Sequence, residues 1–248
     1  MTLQVRLVRC YEPPAAIYSL PELGLYVDAF SDQRLEQLLE QELEKKKSAL
    51  PGVSCQVSVE RMSAAEGILD WAESVDLVVM SSHGRGALGR WLVGSVTTRV
   101  ARACSKPVLV VPRQAGSHRL QTILVCLDGS SFAEAGLREG LNLASAFAAQ
   151  VIVYRCVPVI YPGIGLEEHL KEAQEYLERI QAEHAGFITR AVLHQSDGRP
   201  GIVETAQEES ADLIVLGRRG TGGLSRWIMG SVAEEVLHQA VCPVLVAH

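Results

Sequence analysis

Between Thr122 and Ala247, short apolar runs alternate with stretches whose apolar residues recur every three or four positions. Thr122–Leu127 is a compact, largely apolar run that predicts a strand, and Phe132–Phe147 carries the helical period. Val151–Val157 predicts a second strand, Glu167–Glu183 a long charged amphipathic helix, and Phe187–Leu193 a third strand. Gly201–Glu209 then predicts a helix, Asp212–Leu216 a strand, Ser231–Gln239 a helix and Val244–Ala247 a last strand. Continuous rather than alternating apolar runs suit strands covered on both faces. Strict alternation of strand and helix argues for an open, doubly wound parallel sheet with right-handed crossovers.

The first half repeats this pattern from its second strand onward. Leu3–Arg9 and Gln56–Arg61 predict strands; Asp32–Ala49 predicts a helix behind the N-cap candidate Ser31, and Ala64–Glu73 another behind Ser63. At an offset of 136, Asp76-Leu77-Val78-Val79-Met80 aligns with Asp212-Leu213-Ile214-Val215-Leu216, Trp91 with Trp227, Gly94-Ser95-Val96 with Gly230-Ser231-Val232, and Pro107 with Pro243. Sixteen of the thirty-five positions from Asp76 to Val110 are identical without a gap, so the chain is a tandem repeat. The polar stretch from Pro112 to His118 reads as the boundary, giving domains 1–113 and 119–248. The first copy has no counterpart of residues 120–148: the opening strand, its Asp-Gly-Ser turn and the following helix.

Composition narrows the classes. Hydrophobic content of 48% and charged content of 21% are ordinary for a globular protein. No apolar run reaches the roughly 18–20 residues that span a bilayer, and the first residues lack a secretory leader pattern, so the expected location is the cytoplasm, with no membrane partner. A net charge of −6 with no basic, aromatic-interleaved stripe argues against nucleic acid. Six scattered cysteines form no CxxC pair and read as buried thiols, and the seven histidines show no metal-binding spacing.

Candidate chemistry follows the strand Asp212–Leu216. Gly217-Arg218-Arg219-Gly220, nine further residues, and Gly230-Ser231 open a helix. Glycines there let a backbone approach a ligand closely. A helix N-terminus offers unpaired N–H groups and partial positive charge, which favours phosphate. Asp128 ends the first strand of this copy, at the sheet edge where open α/β folds bind ligands, and its carboxylate can accept from both hydroxyls of a ribose. Either motif alone is compatible with plain turn chemistry, with Ser130 or Ser131 capping the helix and Leu88, Trp91, Leu224 and Trp227 acting as loop anchors. Their co-occurrence at fixed strand ends points to one nucleoside phosphate.

These residues make the chain resemble the universal stress protein family, specifically its tandem members. Gly217-x-x-Gly220, nine residues and Gly230-Ser231 is similar to the family's ATP-binding signature; Thr122–Ser130 resembles its opening strand and turn, and Cys242-Pro243-Val244-Leu245-Val246 its terminal strand. The resemblance implies α/β domains with five parallel strands in the order 3-2-1-4-5 and flanking helices, the first copy lacking its central opening strand. It also implies ATP, with or without Mg, as the ligand of the second copy. Asp128 would hold the ribose; Cys126, Cys156 and Leu216 would line the adenine slot; Gly217, Gly220, Gly230, Ser231 and Val232 would wrap ribose and phosphates. Cys126 stands where the family usually has proline, and Arg219 where many members have histidine.

In the first copy Ser81 replaces the first glycine, where its Cβ would crowd a ribose, and no aspartate corresponds to Asp128. That copy is expected to bind ATP poorly. Its missing strand could be compensated by Leu3–Arg9 and Asp76–Met80 closing up, by a strand from another chain, or by sequence upstream. Family dimers pair terminal strands edge to edge, so Val108–Val111 and Val244–Ala247 are expected to pair internally as a pseudo-dimer, with a further homodimer conceivable. No Walker lysine, pyrophosphatase loop or nucleophile pair is present, so the function implied is a non-catalytic, nucleotide-responsive stress protein. Two alternatives stand beside it: a nucleotide-free dimerisation scaffold and, less favoured, an adenylyl-transferring or phosphatase-like enzyme.

Overall fold

The computed structural model describes residues 3–12, 32–82, 93–112, 119–159, 165–196, 201–221 and 229–248. Ser31, His83, Gly84, Leu88, Trp91, Leu224 and Trp227, and with them the N-cap and loop-anchor expectations, lie outside these residues, as do positions 113–118 of the boundary stretch. In space the chain divides into two compact units, Met1–Trp71 and Ala72–His248.

In the first unit β1 (Gln4–Tyr11) pairs in parallel with β2 (Ser54–Arg61), from Gln4 opposite Ser54 to Tyr11 opposite Arg61. Both strands carry polar residues among the apolar ones and are only partly covered, unlike the apolar, buried strands Leu213–Gly217 and Val244–Ala247 of the second repeat. The connecting helix α1 (Asp32–Lys47) places Glu36 to accept from the Tyr11 hydroxyl at 2.6 Å, and buries Leu43. Helix α2 (Ala64–Ala72) begins behind Ser63, whose hydroxyl donates to Glu66 at 2.7 Å. Near its end Trp71 donates to Glu60 at 3.0 Å and lies under the Arg6 guanidinium, 4.1 Å from the ring centroid.

The second unit is built on a seven-stranded sheet. Its strands are β3 (Val78–Ser81), β4 (Val108–Val111), β5 (Thr122–Cys126), β6 (Gln150–Pro158), β7 (Ile188–Ser196), β8 (Leu213–Gly217) and β9 (Val244–Ala247), in the spatial order β3-β4-β9-β8-β5-β6-β7. All neighbours are parallel except β4 and β9, which are antiparallel with Val108 opposite Val246, Leu109 opposite Leu245 and Val110 opposite Val244. Because Leu245 is the repeat equivalent of Leu109, this ladder has the self-complementary pattern of a two-fold interface, drawn within one chain. It seals the terminal edges of both repeats, as expected from the sequence.

Helices α3 (Ser95–Ala103), α4 (Ser131–Phe147), α5 (Leu166–Glu183), α6 (Ile202–Glu208) and α7 (Ser231–Gln239) flank the sheet. The core gathers Ile123, Val125, Leu137, Val153, Leu177 and Val215. Helix α4 lies close on β5: a Cβ added to Gly140 would stand 2.7 Å from Val125 Cγ2. Asp212 fixes the start of β5 by accepting from the amides of Gln121 (2.8 Å) and Thr122 (2.9 Å).

The equivalent strands β8 and β3 are covered to very different degrees. In the second repeat β8 lies between β9 and β5, and Leu213 and Val215 are 3% and 0% exposed. In the first, β3 has β4 as its one ladder partner among the described residues, and the equivalent Leu77 and Val79 are 41% and 61% exposed. The residues are identical; the covering strand and helix decide their burial.

Candidate functional site

At the carboxyl ends of β5, β6 and β8 the second unit has a cavity of about 610 Å³. All nine residues singled out from the sequence line it: Cys126, Asp128, Cys156, Leu216, Gly217, Gly220, Gly230, Ser231 and Val232. Residues the sequence reading missed also form its walls, notably Tyr154, Pro158, Ile202, Thr221 and Met229. Tyr154 was foreseeable from pairing, since it lies opposite Cys126 and two residues before Cys156.

The polar end is shaped by two turns. After β5, Gly129 takes φ +84°, where a side chain would be strained. Ser130 then adopts an extended backbone and caps α4, its hydroxyl oxygen accepting from the Ala133 amide at 3.1 Å. Asp128 Oδ1 accepts from the Ser130 amide at 3.0 Å, and Oδ2 accepts from the Thr221 amide at 3.0 Å. The carboxylate therefore faces the glycine loop and is tied to it. The Ser130 hydroxyl adds a second tie, donating to the Arg219 carbonyl at 3.3 Å. Gly220 lies so near that an added Cβ would stand against Asp128 Oδ2, well inside van der Waals distance.

The loop is closed at its two ends. The Arg218 amide donates to Ala247 O and the Gly230 amide to Arg218 O, both at 2.9 Å. The first repeat makes the same closure, with Ser82 donating to Val111 O at 2.9 Å and Gly94 to Ser82 O at 2.8 Å. Gly230 is the N-cap of α7 and supplies no side-chain cap, so the opening turn, with Ser231 and Val232 on the cavity wall, offers amides with no capping side chain from that position.

The glycines do different jobs. A Cβ on Gly217 would stand 2.7 Å from the Phe132 carbonyl carbon and 2.9 Å from the Ala133 amide, so this glycine admits the first turn of α4. The sequence reading placed its value in approach to a ribose; the packing of α4 is the closer constraint. Gly230, by contrast, has room among the described residues, where the nearest atom to an added Cβ is 3.6 Å away.

The other end of the cavity is apolar, with Leu216, Ile202 and Met229 beside two thiols. Burial, then the neighbouring Cys242 and Asp128, push the Cys126 thiol far up, so it stays protonated at neutral pH. Burial also raises Cys156, against hydrogen bonds with Tyr154 and Ser196 that lower it. The Tyr154 hydroxyl is raised mainly by burial and stays neutral. Of the two loop arginines, Arg218 donates through its guanidinium to the carbonyls of Arg102 (3.2 Å) and Cys104 (3.4 Å). Its Nε is buried without a hydrogen-bond partner, and burial lowers its pKa. Both guanidinium groups flank the Phe132 ring, 5.7 and 5.4 Å from its centroid for Arg218 and Arg219. Among the described residues no group of three or more His, Cys, Asp or Glu side chains could hold a metal ion. No helix among them is long and apolar enough to cross a membrane.

Known proteins carry the same pattern. The sequence model of the universal stress protein family matches residues 3–112 and 119–248. A universal stress protein of Mycolicibacterium smegmatis is 28% identical over 205 residues, covering 79% of this chain and 69% of that protein. One from Mycobacterium tuberculosis is 31% identical over 192 residues, covering 73% of this chain and 64% of its own length. This chain thus spans about two thirds of these relatives. The crystal structure of a universal stress protein from Archaeoglobus fulgidus superposes with a TM-score of 0.71 at 20% identity, covering 99% of this chain and 87% of that one, a likeness of fold. Two matches of one family model, laid end to end on a chain that repeats itself at an offset of 136, leave a single assignment: the chain belongs to the universal stress protein family as a tandem, two-domain member.

Proposed function

We propose that the second repeat binds ATP and that the chain is a non-catalytic, nucleotide-responsive stress protein. One observation carries the reading: the Asp128 carboxylate and the amide-rich start of α7 open on the same cavity, whose far end is apolar. An adenine suits the wall of Cys126, Cys156 and Leu216; a ribose suits Asp128; phosphates suit the turn from Gly230 through Ser231 and Val232, beside Gly217 and Gly220. Mg, if it accompanies the nucleotide, would be held chiefly by the phosphates. On this reading the ATP site belongs to the domain at 119–248, and the domain at 1–113 offers no carboxylate equivalent to Asp128. The β4–β9 ladder supports a built-in pseudo-dimer, which leaves homodimerisation as a further step in the cytoplasm.

The test is titration of the purified chain with ATP. Saturation near one ATP per chain, lost in Asp128→Ala, supports the reading; no binding at millimolar ATP overturns it. One observation favours the scaffold alternative: Asp128 already accepts two backbone amides and so also serves as a latch between the α4 turn and the glycine loop. A scaffold role predicts that Asp128→Ala loosens the fold while ATP leaves the melting temperature of the intact chain unchanged.

A further inference from the structure

The first repeat has no counterpart of Asp128, yet it holds both flanks of the second repeat's glycine loop. The main tether is Arg218. The residue borders the cavity, and its backbone lies in the loop closure, between Ala247 O and the Gly230 amide. Its side chain donates to the carbonyls of Arg102 and Cys104, at the C-terminal end of α3. That end carries unsatisfied carbonyls and partial negative charge, so a guanidinium there is doubly favoured. The position is not forced by the loop itself. Ser82, its repeat equivalent, makes the same two backbone hydrogen bonds with a side chain too short for such a reach.

Two further contacts cross the repeats at the same place. Arg102 of α3 pairs with Glu234 in the first turn of α7, the helix whose opening turn borders the cavity. His238 Nδ1, in the last turn of α7, accepts from the Val93 amide at 3.4 Å, beside the closing glycine of the first repeat's loop. Arg218, on the loop, and Glu234, on its helix, thus flank the proposed phosphate cradle, and both are held by the end of α3.

We infer that Arg218 is a positioning residue that anchors the phosphate-binding loop of the second repeat on α3 of the first, so that the first repeat sets how tightly the second holds ATP. This rests on the ATP reading. A loop held in its binding geometry before the ligand arrives does not have to be ordered on binding, and affinity rises accordingly. The coupling is reciprocal: a contact that tightens ATP binding is itself tightened by ATP.

The experiment uses the full chain and two readouts. Residue-resolved amide hydrogen exchange without nucleotide reports the tether alone, and ATP titration reports its consequence. Arg218→Ser, which installs the first repeat's residue, is expected to speed exchange at the Gly230 amide and to weaken ATP about tenfold, or about 1.4 kcal/mol. Arg218→Lys, which keeps charge but loses the fork geometry, should fall between. Arg102→Ala, outside the cavity and part of a half-exposed pair, should weaken ATP about twofold to fivefold. In the wild type, ATP should slow exchange across Val100–Cys104, and in Arg218→Ser it should not. Unchanged ATP affinity in Arg218→Ser and Arg102→Ala, with unchanged exchange at Gly230, overturns the inference. A wild-type chain that binds no ATP overturns the nucleotide reading and the coupling built on it, while exchange at Gly230 still decides whether the tether exists.

Discussion

Gly217→Ala puts the division of labour among the glycines to a quantitative test. The added Cβ would stand 2.7 Å from the Phe132 carbonyl carbon, where ordinary contact begins near 3.4 Å, so roughly 0.7 Å must be found. Neither side yields easily. Gly217 is a ladder residue of β8 opposite Ala247, and the first turn of α4 is pinned by the Ser130 cap and by the close approach of Gly140 to Val125. Overpacking of this kind costs about 1–3 kcal/mol. For a cooperative unit of this size each kcal/mol lowers the midpoint by about 2–4 °C, so the expected fall is roughly 2–12 °C. Gly230→Ala is the control, because its Cβ meets nothing nearer than 3.6 Å among the described residues and should leave the midpoint in place. Thermal and urea unfolding of the two variants, followed by circular dichroism without nucleotide, separate them. If Gly217→Ala melts with the wild type, or Gly230→Ala falls as far, the packing account of this loop is wrong.

Three further outcomes are expected. Burial, reinforced by the charges of Arg218 and Arg219, holds the His248 imidazole down to about 4. An unfolded chain takes up that proton near pH 6.5 and the folded one does not, so this stability is present above about 6.5 and drains as pH falls toward 4. His248→Gln should flatten the urea midpoint across that window; an unaltered slope would show the imidazole to be unperturbed. Alkylation of Cys126 and Cys156 by iodoacetamide at neutral pH should be slow, because both thiols are raised by burial, and ATP should slow it further; labelling at the rate of a free thiol would contradict the buried site. Val79→Lys should be tolerated within about 0.5 kcal/mol, whereas Val215→Lys should prevent folding, since the first side chain is 61% and the second 0% exposed. Equal damage at both positions would mean that Val79 is covered in solution.

Most elements were legible because their signals are local. The apolar runs of β5, β6, β8 and β9 and the helical periods of α4, α5 and α7 appear within a residue or two of their predicted positions. The β4–β9 pairing was legible for a different reason, the repeat itself, which places equivalent residues at the two terminal edges. The cavity was legible as a set of residues but not as a set of roles. Gly217 reads as a ligand-facing glycine until Phe132, far away in sequence, is seen to press on it. Thr221 carries no motif, and its amide matters only because Asp128 lies across from it. The motif gives no sign of where Arg218 points; its guanidinium goes to α3, a choice made by tertiary packing and by a helix terminus in need of a donor. The paired strands of the first unit, β1 and β2, were predicted as strands. Their pairing with each other, as a two-stranded sheet separate from the seven-stranded one, is carried by no residue within them.

Isothermal titration of the intact chain with ATP, beside Asp128→Ala, tests the central claim most directly. The account predicts one site per chain, with the first repeat silent, and loss of that site in the variant. Two equivalent sites per chain, or binding indifferent to Asp128, would contradict it.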